Sequence, residues 1–95
     1  MSAYLIVSLN IKDKELFSEY AQQAGPSMLK FGAEFIARGA ISKMLSGEQQ
    51  WQTHAVVKFE DENKIEAWYN SAEYQALIDL RDRAADLCLA VFSDN

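Results

Sequence analysis

Residues 3 to 9 (Ala-Tyr-Leu-Ile-Val-Ser-Leu) form a continuous apolar run rich in β-formers, which predicts a strand buried on both faces. Asp13 suits a helix N-cap, and Leu16, Phe17, Tyr20, Ala21 and Ala24 then recur at helical spacing. At Gly25-Pro26 the proline removes a backbone donor and is expected to kink or break the helix, although Met28, Leu29 and Phe31 continue the stripe to a stop at Gly32. Residues 33 to 38 alternate, which predicts a second strand with Phe35 and Ala37 on one face, Glu34, Ile36 and Arg38 on the other, and an end at Gly39. A short strand at Ile41 to Leu45 and a turn at Ser46-Gly47 are expected next. Trp51 to Phe59 reads as the third main strand, with Thr53, Ala55, Val57 and Phe59 toward the helices and His54, Val56 and Lys58 away from them.

Asp61 can cap a helix through Ile65, Trp68 and Tyr69, and Asn70 is expected to end it in the left-handed conformation. Ser71 then caps another helix, with Glu73 in its first turn and Tyr74, Leu77, Ile78 and Arg81 along one stripe. Residues 87 to 92 (Leu-Cys-Leu-Ala-Val-Phe) close the pattern as a second strand apolar on both faces, before a polar tail at 93 to 95.

The element order β-α-β-β-α-(α)-β predicts an α+β chain, a ferredoxin-like βαββαβ sandwich of one domain over residues 1–95, its second crossover split into two helices. The expected strand order is 4-1-3-2 with the helices on one face. Those helices leave the other face bare, yet the first and last strands are apolar on both sides. A homodimer joined sheet to sheet supplies the missing layer. About 800 Å² per partner, roughly half of it apolar, would contribute on the order of 20 kcal/mol before association costs.

Composition narrows the partners. Fourteen acidic against nine basic residues give a net charge of -5, which disfavours nucleic acid and anionic membrane surfaces. Cys88 is the single cysteine, so an intrachain disulfide and a four-thiolate zinc site are excluded, and a reducing cytoplasm fits best. The opening ten residues lack the basic region and the uninterrupted apolar run of a signal peptide.

Ala67-Trp68-Tyr69-Asn70-Ser71-Ala72-Glu73-Tyr74-Gln75-Ala76-Leu77 resembles the core of domain-of-unknown-function family 1330, in the dimeric α+β barrel superfamily. Gly32 to Gly39 is similar to that family's second-strand block, Val56-Val57-Lys58-Phe59 to its third, and Arg81 to its helical arginine. Ala72 stands where the family commonly has proline, and neutral Thr53 stands near a usual strand arginine. The resemblance implies relatives that include cofactor-independent monooxygenases, haem-degrading enzymes and lactone isomerases. Fold alone does not choose among them.

His54 is the only side chain with an unperturbed pKa near neutrality, so it is the candidate catalytic residue, as proton acceptor, or else a histidine at the dimer interface. Arg38 and Arg81 are the cations best placed to hold a carboxylate bidentately; each has a structural alternative, an ion pair with Glu34 or, for Arg81, a helix-end role. Tyr20, Trp68, Tyr69 and Tyr74 offer broad surfaces with polar tips for a flat ligand, or else simply build the core. A lone histidine has no metal-ligand spacing, no predicted helix carries one to hold haem, and no cofactor is expected. The leading expectation is a homodimer binding a small aromatic or carboxylate-bearing molecule near Arg38, His54, Tyr69 and Arg81. The alternative is a cofactor-independent monooxygenase or isomerase working through His54.

Overall fold

The computed structural model describes residues 2–94. Its elements are β1 (Ala3–Ile11), α1 (Lys14–Leu29), β2 (Glu34–Ala40), β3 (Thr53–Phe59), α2 (Glu62–Tyr69), α3 (Ala72–Gln75), α4 (Ile78–Ala84) and β4 (Ala85–Ser93). Antiparallel pairing of β1 with both β3 and β4 places the first apolar strand at the centre of a four-stranded sheet ordered β2-β3-β1-β4. This is the expected α+β, ferredoxin-like order read from the other edge. Leu5, Val57 and Phe59 point from the sheet into one core with Tyr20, Ala24, Met28, Ile65, Trp68, Tyr74 and Leu77 from the helices. Trp68 and Tyr74 are fully buried, and removing a side chain of that size from a core costs about 3–5 kcal/mol.

Local chemistry explains most boundaries. Asp13, Asp61 and Ser71 each accept a backbone N–H three residues on, capping α1, α2 and α3. The expected break at Pro26 does not occur, and α1 runs through it to Leu29. Proline disfavours a helical predecessor partly by clashing with its Cβ, and Gly25 has none. Gly32, at φ 82°, then turns the chain toward β2.

Four further expectations are corrected. Asn70 ends α2 in a right-handed turn at φ -88°, because its own side-chain amide donates to the Glu66 carbonyl at 3.0 Å and no left-handed residue is needed. The helix expected after Ser71 divides at Ala76-Leu77 into α3 and α4. Ile41 to Leu45 makes no strand; only a single backbone bond, from Ile41 N to the Gln52 carbonyl, ties that loop at its base.

The fourth correction alters the faces of β2. Phe35 pairs with Val57 and Ala37 with Val56, so Ile36 is an extra residue, a β-bulge that interrupts the alternation. Phe35 and Arg38 consequently lie on the helix side, opposite Val57 and Ala55, while Glu34 and Ala37 lie on the other. No helix covers that second face. It carries Tyr4, Ile6, Val56, Ala90 and Phe92, with Tyr4 and Phe92 stacked at 5.1 Å. Cys88, on the strand expected to be apolar on both faces, is exposed on this face as a free thiol, because it alternates with the inward Leu87 and Leu89.

Candidate functional site

The stripe begun by Tyr74 brings Arg81 under the α2 helix end. The Arg81 side chain is 12% exposed, a costly setting for a cation unless its donors are engaged. Its Nη1 donates to the Tyr74 hydroxyl at 3.2 Å and, at a longer 3.5 Å, to that of Tyr69. Its Nε donates to Asp82 Oδ1 at 3.0 Å. Among the described residues Nη2 has no hydrogen-bond partner. Burial opposes the charge, but the hydrogen bonds that Arg81 donates to Tyr69, Tyr74 and Asp82 outweigh it and raise the guanidinium pKa, so Arg81 is a permanent cation.

Behind Arg81 the Tyr74 hydroxyl meets that of Tyr20 at 2.8 Å, closing a chain Tyr20-Tyr74-Arg81-Tyr69. Burial, reinforced by the neighbouring Tyr74, pushes the Tyr20 phenol well above its ordinary range and keeps it protonated. Trp68 packs its ring 4.3 Å from Tyr74 and donates its indole N–H to Ser27 Oγ at 2.9 Å; Ser27 in turn donates to the Ala24 carbonyl. These rings are thereby fixed from both ends.

In front of the chain lies a cavity of about 430 Å³, between α2, Arg81 of α4, and the β1-β4 side of the sheet. Ile65, Glu66, Trp68, Tyr69 and Asn70 line it from α2 and its cap, and Leu5, Leu87, Leu89 and Val91 from the strands. Its wall is therefore apolar on the sheet side, aromatic above, cationic at Arg81, and polar at Glu66 and Asn70 on the α2 side. Concavities that combine apolar walls with a few fixed polar groups are where small ligands commonly bind.

The residues expected to act together are separated, His54 by the sheet and Arg38 by two intervening strands. Trp68, Tyr69 and Arg81 line the cavity, and Tyr20 and Tyr74 stand behind Arg81. Arg38 is on β2, with β3 and β1 between it and β4. His54 pairs with Ser8 in the row that faces away from the helices. Its Nδ1 lies 3.0 Å from Ser8 Oγ and its Nε2 lies 3.1 Å from the Trp51 carbonyl. A carbonyl only accepts, so Nε2 carries the donated hydrogen and Nδ1 accepts from Ser8. Arg38 and His54 are thus outside the cavity, and the ion pair expected with Glu34 is replaced at Arg81 by Asp82. Sequence reasoning missed Glu66, Asn70, Asp82 and the β4 wall. The i, i+2, i+4 spacing of Leu87, Leu89 and Val91 was the available signal for that wall, masked by apolar residues on the other face.

Among solved structures, a protein of unknown function from Rhodopseudomonas palustris superposes with a TM-score of 0.81 at 16% identity, covering 99% of this chain and 82% of that one. A dabb family protein with a ferredoxin-like fold from Mesorhizobium loti gives 0.68 at 8% identity, over 99% and 97% of the two chains. SnoaB, a cofactor-independent oxygenase from Streptomyces nogalater, gives 0.68 at 4% identity, over 99% and 93%. At such identities the likeness is one of fold. No curated protein matches the chain. The family model described as "Domain of unknown function (DUF1330)" matches residues 2–94, and the chain belongs to that family.

Proposed function

We propose that the protein is a homodimeric, cytoplasmic binder of a small aromatic or carboxylate-bearing molecule, held in the cavity beneath Trp68 and Tyr69. The observation that carries this reading is the largely buried Arg81 side chain on the cavity wall, whose Nη2 has no hydrogen-bond partner among the described residues and stays open to solvent. Leu87, Leu89 and Val91 offer an apolar bed, and Tyr69 offers ring surface above it, backed by the buried Trp68. Arg81 and Tyr69 contact the ligand, while Trp68 supports Tyr69 from behind and Tyr74 and Tyr20 hold Arg81 in place. Arg38 and His54, both outside the cavity, take other parts; His54 belongs to the face on which we place the dimer contact.

The dimer reading rests on the helix-free face, where Phe92 is 51% exposed beside Tyr4 and the neighbouring Ile6 and Val56 are apolar. A free exposed thiol at Cys88 agrees with a reducing compartment. A thermal-shift screen against small aromatic acids tests the binding reading, since a native-state ligand raises apparent stability by mass action. Stabilisation that saturates, and that is lost in Arg81→Ala, is expected; a hit unaffected by that substitution removes Arg81 from the site. Sedimentation at micromolar concentration is expected to give twice the 10.7 kDa chain mass, and Phe92→Asp to give the monomer.

A further inference from the structure

Arg81 already holds one carboxylate, and that carboxylate is poorly placed to keep it. A guanidinium offers two paired edges to a carboxylate, one end-on through Nη1 and Nη2 and one side-on through Nε and Nη2. At Arg81 the first is compromised, because Nη1 is committed to Tyr69 and Tyr74. Along the second, Asp82 takes Nε through a single oxygen at 3.0 Å and leaves Nη2 without a partner among the described residues. Asp82 is the next residue on the same helix, and its side chain is 62% exposed against 12% for Arg81. The buried cation therefore keeps its place through the tyrosines, and the exposed anion makes half of a possible pair.

We infer that Asp82 is a resident competitor at the Nε–Nη2 edge of Arg81, and that the cavity takes a monocarboxylate which displaces Asp82 and pairs side-on with that edge. This deepens the ligand-binding reading above and rests on it. Asp82 lines the neighbouring depression with Lys12 and Asp86 and reaches Arg81 from there, whereas a free carboxylate approaching from the cavity completes both hydrogen bonds while its apolar body lies on Leu87 and Leu89. Displacement costs little, since the Asp82 side chain is 62% exposed and returns to water, while the tyrosines keep Arg81 in place. A neutral ligand of the same shape leaves the Arg81–Asp82 pair intact and gains only the apolar contacts. The site thus favours acids over their neutral analogues.

The test uses benzoate and benzyl alcohol as probes, followed by two-dimensional NMR of the whole chain. Both are expected to shift the resonances of Leu89, Val91 and Trp68, with benzoate binding at least about tenfold more tightly. Asp82→Asn is expected to strengthen benzoate binding about two- to fivefold and to leave benzyl alcohol unchanged. Asp79→Asn, on the same helix, removes an equal charge away from Arg81 and controls for the general effect of net charge. Equal gains in the two variants, or a loss of benzoate affinity in Asp82→Asn, overturn the competitor role. If benzyl alcohol binds and benzoate binds no better, the carboxylate preference fails while the cavity remains a ligand site. If neither probe moves those resonances, both readings fall.

Discussion

Removing single hydroxyls from the chain Tyr20-Tyr74-Arg81 is expected to give costs that do not add. In Tyr74→Phe the Tyr20 hydroxyl, on a residue 7% exposed, loses its one protein partner, and Arg81 loses its shorter tyrosine bond. An orphaned buried hydroxyl costs about 1–3 kcal/mol and a hydrogen bond to a charged group contributes about 1.5–3, so about 2–4 kcal/mol is expected after Tyr69 takes up part of the guanidinium. In Tyr20→Phe the Tyr74 oxygen still accepts from Arg81, and only its own hydrogen is left over, for about 1–2 kcal/mol. The double variant contains no orphan at that contact, because the two rings meet as an apolar pair at 6.3 Å. It should therefore cost about 1–2 kcal/mol less than the sum of the singles. Urea unfolding of the four proteins at one fixed concentration measures this directly. Additivity within about 0.5 kcal/mol would show that the two hydroxyls do not depend on each other, and would refute the chain as drawn.

The remaining expectations concern the same supports. Because burial holds the Tyr20 phenol above its ordinary value, the native state keeps a proton that the unfolded chain releases. Its contribution is intact below pH about 10 and declines above it by about 1.4 kcal/mol per pH unit, a loss that Tyr20→Phe should lack, so that the difference between the two proteins in alkaline denaturation isolates it. Ser27→Ala strands the buried indole N–H of Trp68 and is expected to lower stability by about 1–3 kcal/mol in thermal or urea melts; an unchanged midpoint would mean that Trp68 has another acceptor. Ser71→Ala removes the cap of α3 and the bond from its hydroxyl to the Trp68 carbonyl at 2.7 Å, for about 1 kcal/mol by urea unfolding. Glu73→Gln, which breaks an exposed pair with Lys30, should by contrast cost less than about 1 kcal/mol in the same assay.

What could be read in the sequence was chemistry acting over a few residues. Asp13, Asp61 and Ser71 announce helix starts because a capping oxygen and its N–H lie three positions apart, and Arg81 announces itself because it occupies an apolar stripe. The bulge at Ile36 left no such mark. An extra residue in a strand changes which side every later residue faces, and only pairing with β3 reveals it, so Arg38 was placed on the wrong side. The helix through Pro26 was missed because the proline was weighed without the missing Cβ of Gly25. The cavity was illegible for a different reason: it is the gap between α2 and β4, and the width of a gap is set by packing across the fold. His54 and Arg81 looked like partners since both are polar residues among apolar ones, yet the sheet stands between them.

The placement of the two tryptophans gives the protein a pair of optical probes that need no labelling. Trp68 is sealed, hydrogen-bonded through its indole and part of the cavity roof. Trp51 is partly exposed just before β3, where its carbonyl accepts from His54. A soluble quencher such as acrylamide reaches the second long before the first, so the accessible fraction of emission reports on the His54 end of the sheet and the protected fraction on the cavity. Changes at the two surfaces can then be followed separately in one cuvette.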